Sequence, residues 1–356
     1  MFGIPFSFVS LGFWPGAIEL LILTIVTVVL HLIYGEIVLK TSTLHRLPGY
    51  IKIHLGEKWS ILAWIGAFVG IFGALLAYII IGSIFLKNIF NAFGFGFGEF
   101  YFAAVFALIG AFIIFFPLKK EAFLNGILTF VLIVFIVFLV AILFPKVDPV
   151  NLGSFNFSKI FVPYGVLLFA LSGGIVIPDL VTILGRERKL ARYAILIGTL
   201  IPALLYFFFA YAVVGSLGLR VSEEAIGGLG AIIGENVIIL GSTIGFLAVF
   251  TSFVALGSSA KALFQLDFGL KKNFSWALVS FLPFIFYVLG FKNFIVIIGA
   301  LGALVGGVDA GLIIGAYHKI KLKEGYRASI FSYFWKMLIY LMIVAGVFYE
   351  LYLFIR

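Results

Sequence analysis

Apolar residues run in long blocks along the whole chain, and short polar gaps separate them. Blocks near 16–38, 60–86, 100–117, 123–144, 160–184, 193–216, 235–260, 274–290, 293–317 and 330–354 are each helix-length. As helices they match a hydrocarbon core of ~30 Å at 1.5 Å per residue. A short apolar stub, residues 1–13, precedes them. The longest polar gaps, at about 39–59, 145–159 and 217–234, leave no room for a soluble domain. The pattern predicts an all-α, polytopic membrane protein built as a single transmembrane domain.

Composition supports that solvent. The chain has 356 residues, 64% hydrophobic and 11% charged, where a soluble chain carries about 25% charged residues. Its 40 glycines suit helices that pack closely in lipid. It has no cysteine, which excludes disulfides, thiolate metal sites and thiol catalysis. The first residues lack a basic region, so a cleavable signal peptide is not expected.

The net charge of +9 would suit a nucleic-acid partner if it formed one patch, but it does not. Assigning the gaps alternately to the two sides puts 18 of the 24 Lys and Arg on one side. That side holds Lys40, Arg46, Lys119, Lys120, Arg186, Arg188, Lys189, Arg192 and Lys319 to Lys323, among others. The other side holds Lys87, Lys146, Lys159, Arg220, Lys292 and Arg356. The positive-inside rule makes the first side cytoplasmic. Charge thus reports topology, and no nucleic-acid partner is expected.

Two segments put glycine and proline together at membrane depth: MFGIPF, with Gly3 and Pro5, and FALSGGIVIPDL, with Ser172, Gly173, Gly174, Pro178 and Asp179. Glycine pairs weaken a helix and proline removes an amide donor. Unwound backbone at this depth survives only where protein buries it or a cavity solvates it. Such broken helices are how many transporters build a substrate site; the alternative is a simple kinked helix. With the stub as the first helix, the second break falls in the sixth. Five helices separate the two starts, so the second copy is inverted. This predicts a 5+5 inverted repeat, about 1–144 and 160–317, followed by an eleventh helix at about 330–354. Superposing Pro5 on Pro178 pairs Ile4 with Ile177 and Met1 with Gly174. The counterpart of Gly173 then lies ahead of Met1, so the first helix is expected to be truncated, its inner half encoded upstream.

The run MFGIPFSFVSLGFWPG, the loop LPGYIKIHLGEKW, the sixth-helix FALSGGIVIPDL and the stretch LAVFTSFVALGSSAKALFQLD together resemble the amino acid/auxin permease and aromatic amino acid permease families. Both belong to the amino acid–polyamine–organocation superfamily. The resemblance covers nearly the whole chain in order. It implies the leucine-transporter fold and secondary transport of amino acids. One departure is that the family's G-x-G ahead of the I-P motif, which holds the substrate carboxylate, would precede Met1.

Candidate substrate contacts follow. Gly173 and Gly174 free backbone groups, and Ser172 and Phe169 adjoin them. Gly3 and Ile4 occupy the matching place in the first helix. Tyr78 sits midway along the third, where the resemblance puts an aromatic over the substrate; the alternative is an inter-helix hydrogen bond. Thr251 and Ser252 present adjacent hydroxyls suited to a hard cation such as Na⁺. The resemblance puts a sodium site there, whereas ordinary bonding to the preceding helical turn is the competing reading. Asp309 is ionisable at membrane depth and so functional by default, as a proton carrier or cation partner. Asp179 would serve as a gate or stabilise a helix end. Glu19 and Glu36 lie nearer helix ends, where solvation is expected. The glycines of the tenth helix, Gly299, Gly302, Gly306, Gly307, Gly311 and Gly315, read as a smooth packing face.

The leading function is a secondary amino acid transporter in the plasma membrane, working by alternating access and coupled to H⁺ or Na⁺. It requires no cofactor beyond that ion, and its partners are an amino acid and the bilayer. Neutral or aromatic substrates are favoured, since Asp179 is the one charge near the glycine pair. A non-transporting sensor on the same scaffold is the second class. A membrane enzyme is the third: His31, His45, His54 and His318 are isolated, with no H-E-x-x-H and no G-x-S-G among the motifs.

Overall fold

The structure is a computed structural model. It describes residues 1–116, 121–266 and 268–325, together with Val344, Gly346, Phe348 and Tyr349. Apart from those last four positions, the expected helix at 330–354 lies outside the described residues. So do Lys119, Lys120, Arg327 and Lys336.

The described elements are all helical. They are α1 (Ile4–Leu11), α2 (Phe13–Lys40), α3 (Leu47–Leu55), α4 (Glu57–Ala92), α5 (Glu99–Phe115), α6 (Glu121–Leu143), α7 (Val162–Leu171), α8 (Ile177–Ile183), α9 (Arg188–Leu217), the single turn α10 (Gly230–Ile233), α11 (Glu235–Leu266), α12 (Lys272–Val288), α13 (Phe294–Ala300) and α14 (Gly306–Lys323). Seven apolar spans have the length to cross a bilayer, and α5 and α12 are shorter apolar helices of 17 residues. These nine correspond in order to the first nine predicted blocks. The ends shift by a few residues because a helix continues past the apolar block wherever its polar flanks still form turns.

The long helices pack in pairs that also explain where the core sits. α4 runs against α11, and α2 against α9. Their facing residues include Leu75, Ile79, Phe85, Phe253 and Phe264, all buried in one large apolar cluster. Outward faces stay apolar, as at Ile18, Leu21, Ile25 and Phe112, because lipid tails solvate them. The chain turns from α1 into α2 at Gly12, whose φ of 120° only glycine adopts readily. A Cβ there would stand 2.1 Å from the Ser154 carbonyl oxygen. The segment after α6 therefore clamps this turn, with the Asn156 amide donating to the Leu11 carbonyl at 2.7 Å.

Charged contacts respect the predicted sides. Arg188 Nε and Arg192 Nη2 bind Glu36 Oε1 at 2.7 and 2.9 Å, and Lys52 pairs with Glu57. Glu324 pairs with both Lys40 and Lys321. Hydrogen bonds from Lys40 and Lys321 hold its carboxyl below the ordinary carboxylate range. On the opposite side Lys87 faces Glu99, and Lys146 donates to the Ile232 carbonyl at 2.7 Å. No ion pair among the described residues joins the two sides. Glu36 corrects the expectation of a solvated side chain. It is 6% exposed, and the two arginines supply the charge that burial demands.

Arg186 adds a further device at this end. It sits at φ 61° directly after Gly185 at φ 64°, a left-handed pair costing about 1–2 kcal/mol at the non-glycine residue. Its guanidinium Nη2 then reaches the carbonyls of Val38, Leu39 and Thr41 at 2.6–3.0 Å. Those are the orphan acceptors at the end of α2, so charge-assisted bonds offset the backbone strain.

The topology gives a direct test. With no native cysteine, single cysteines can be introduced on a clean background. Lys189→Cys should resist an impermeant maleimide added to intact cells, and Lys146→Cys should react. The reverse labelling would overturn the orientation.

Candidate functional site

α7 ends at Leu171, and α8 starts only at Ile177. Between them the chain leaves the helical path at Ser172, with ψ 88°, and Gly173. One tight turn, Gly174–Val176, then leads into α8. Proline at position 178 has no amide to donate, and it falls in the first turn of α8, where none is required. The sequence thus places the break where the glycine pair and the proline predicted it.

Most groups freed by the break are held by other parts of the chain. Ser172 Oγ turns back on the Phe169 carbonyl at 2.6 Å. The Tyr206 hydroxyl of α9 donates to the Ala170 carbonyl at 3.1 Å. Arg46, just before α3, donates to the Ile175 carbonyl at 3.3 Å and to Asp179 Oδ2 at 2.8 Å. Ser172 itself stays exposed. Tyr78 of α4 lies within electrostatic reach of Tyr206. Phe169, Ser172, Gly173 and Gly174 thus lie at one unwound point, and Tyr78 is linked to it through Tyr206.

Two side chains of α2 face the glycine pair. A Cβ built at Gly173 would lie 3.5 Å from His31 Cε1, and one at Gly174 would lie 3.9 Å from His31 Nε2 and from Tyr34 Cδ1. His31 Nδ1 is 3.0 Å from Thr199 Oγ1 of α9. The sequence reading treated His31 as isolated. Its signal was present, as an ionisable residue in the middle of an apolar span, but its neighbours come from distant helices.

Asp309 lies on α14, just after a π-helical turn at Leu301–Val305. Its Oδ1 is buried and has no hydrogen-bond partner among the described residues. Its surroundings are Gly66 of α4, where an added Cβ would lie 3.6 Å from Oδ1, and Tyr34 within electrostatic reach. Glu19 is half-buried, and its Oε2 is buried with no hydrogen-bond partner among the described residues, so water reaches less of it than expected.

Other expected residues are placed differently. Thr251 Oγ1 donates to the Leu247 and Ala248 carbonyls at 2.9 and 3.2 Å, and Ser252 Oγ donates to Ala248 at 2.8 Å. Both hydroxyl protons are thus turned onto their own helix. Gly3 caps α1 against Ile295, Ile298 and Phe294 of α13, and Ile4 is fully buried. The smooth face of the tenth helix is narrower than expected. A Cβ at Gly165 would meet the Gly299 carbonyl oxygen at 2.1 Å, and one at Gly302 would meet the Gly165 oxygen at 1.9 Å. At Gly306 an added Cβ meets nothing within 4 Å.

The fold has relatives among solved structures. The chain is similar to MhsT, solved in complex with L-phenylalanine. The TM-score is 0.60 and the identity 12%, over 98% of this chain and 93% of that one. It is also similar to Mhp1, a nucleobase-cation-symport-1 family transporter solved in a closed conformation with bromovinylhydantoin bound. There the TM-score is 0.65 and the identity 14%, over 99% and 87%. These likenesses show the leucine-transporter fold that the sequence resemblance implied. No curated protein matches the chain by sequence. The sequence profile of the tryptophan/tyrosine permease family does match, over residues 1–352. It falls on the aromatic side of the resemblance and spans the break, His31 and Asp309 alike. The chain is a multi-pass membrane transporter protein rather than an enzyme, and it belongs to the tryptophan/tyrosine permease family.

Proposed function

We propose that this protein is a secondary transporter that carries neutral or aromatic amino acids across the plasma membrane by alternating access, driven by H⁺. The observation that carries this reading is the unwound Ser172–Gly174 segment, held open at membrane depth between α7 and α8. Its backbone groups can meet the charged ends of an amino acid, while Phe169 and Tyr78 beside it suit an apolar or aromatic side chain. The family and the phenylalanine bound by MhsT favour the same substrate class. Asp179, the nearest acid, is already paired with Arg46, so the break offers no net charge to select a basic or acidic substrate. That pair ties the segment before α3 to α8 and would act as an inner gate.

Asp309 favours H⁺ as the driving ion. A carboxyl at membrane depth with a buried oxygen that has no hydrogen-bond partner among the described residues is costly when ionised, and taking up a proton reduces that cost. A sodium site at Thr251 and Ser252 would require their oxygens to accept the ion while their protons stay on the helix. The two ions separate in one experiment, uptake of a radiolabelled amino acid panel by proteoliposomes at two pH values with and without Na⁺. Accumulation of tryptophan, tyrosine or phenylalanine driven by an inward proton gradient, indifferent to Na⁺, is the expected result. Uptake that requires Na⁺ at both pH values would reject the proton reading. Absence of any amino acid uptake would favour a sensor.

A further inference from the structure

We infer that His31 is a ligand-binding residue whose Nε2 accepts a hydrogen bond from the transported molecule at the break between α7 and α8. The inference rests on the transport reading given above and names a residue that reading does not use.

The bonding of Thr199 favours one assignment of the ring proton. The Thr199 hydroxyl donates to the Ile195 carbonyl at 2.9 Å, which uses its only proton. With its proton on the Ile195 carbonyl, its oxygen accepts from His31 Nδ1, 3.0 Å away. The proton sits on Nδ1, and Nε2 presents a lone pair. The imidazole is 8% exposed, and Nε2 makes no hydrogen bond among the described residues. It points at the glycine pair, with Nε2 3.9 Å from the Cβ position of Gly174 and Cε1 3.5 Å from that of Gly173. Because both positions are glycine, no side chain from the break stands between the ring and the unwound segment.

An acceptor on a side chain only 8% exposed, facing the break, is placed to take a donor that enters there. No donor among the described residues bonds Nε2, and the Thr199 hydroxyl holds the ring from behind. That arrangement suits a donor that comes and goes. The transported amino acid brings two kinds, the α-ammonium of every amino acid and the ring N–H or O–H of tryptophan and tyrosine, which phenylalanine lacks. Thr199 is then a positioning residue, acting through the tautomer it favours.

The test measures uptake of tryptophan, tyrosine and phenylalanine by proteoliposomes of the full chain and of variants that elute as folded, monodisperse protein. His31→Leu should raise KM about tenfold, the scale of one buried hydrogen bond, with kcat little changed. His31→Gln, which keeps an acceptor, should recover most of that loss. A rise for all three substrates identifies the α-ammonium as the donor, and a rise for tryptophan and tyrosine alone identifies the ring donor. Wild-type KM values for all three in His31→Leu would overturn the inference. So would a His31→Gln as impaired as His31→Leu, since the loss would then belong to packing. Should His31→Leu not fold, Thr199→Val removes the acceptor for Nδ1–H without touching the ring. A KM rise of a few fold supports the inference, and an unchanged KM defeats it. A wild type that transports none of the three defeats the transport reading itself, an outcome separate from any failure of His31.

Discussion

Gly302→Ala is expected to abolish recovery of folded protein, whereas Gly306→Ala, four residues along the same helical run, should be tolerated. The difference lies in what the new methyl group would meet. At Gly302 it would stand 1.9 Å from the Gly165 carbonyl oxygen and 2.6 Å from the Phe169 amide nitrogen. Both are backbone atoms of α7, so relief requires two helices to separate rather than one side chain to rotate. Separation forfeits the close packing that holds helices together in lipid, where no hydrophobic drive compensates. Overpacking of this kind costs about 1–3 kcal/mol or more, a large part of a marginal stability. At Gly306 nothing lies within 4 Å of the added carbon. Alanine there gains about 0.5–1 kcal/mol of helix preference over glycine. The measurement is the monodisperse fraction and melting temperature of each variant in detergent. Equal behaviour of the two variants would show that the backbone contact between α7 and the tenth helix is not a requirement of the fold. The same contact has a functional corollary. α7 ends in the break, so this contact ties the α13–α14 helix to the proposed site.

Asp309→Asn is expected to abolish accumulation driven by a proton gradient while leaving exchange of internal for external substrate near the wild-type rate. The substitution keeps shape and hydrogen-bonding capacity but removes the proton that the carboxyl can bind and release. Asp309 Oδ1 has no partner among the described residues, so no ion pair is broken and the packing against Gly66 is retained. A carrier that can still bind and turn over substrate, yet can no longer load a proton, equilibrates instead of concentrating. At an imposed gradient of one pH unit one coupled proton sustains a ratio of at most about tenfold, so accumulation should fall from near that ceiling to about one. Counterflow and gradient-driven uptake in the same proteoliposomes separate the two activities. Undiminished accumulation in Asp309→Asn would remove this residue from the coupling path. Thr251→Val provides the contrast. Its hydroxyl proton is already spent on α11, so proton-driven uptake should survive its loss.

The sequence by itself determined the solvent, the order of the nine described apolar spans and the place of the break. Each of these follows from local or additive chemistry. A block of apolar residues needs lipid whatever its neighbours are. Lysine and arginine counts in successive gaps need no partner to be read, and the contacts of Glu36, Glu324 and Lys146 fall on the sides those counts assigned. A glycine pair followed by proline disrupts a helix wherever it sits, and α7 does end at Leu171. The resemblance supplied the fold class, because the order and spacing of motifs survive where identity does not.

Only the tertiary structure decided which residues share the site and which are occupied elsewhere. His31 and Tyr34 of α2 meet Gly173 and Gly174, and Thr199 of α9 holds His31 from behind. A hydrophobic period says nothing of which face of one helix meets which face of another. Glu36 looked solvated because its partners, Arg188 and Arg192, lie about 150 residues downstream and a pairing is invisible along the chain. The six glycines of the tenth helix look alike in sequence, but Gly302 touches backbone and Gly306 touches nothing, since close approach belongs to a pair of helices and not to one. Local chemistry is written residue by residue, and a binding site is an agreement among surfaces that meet only after folding.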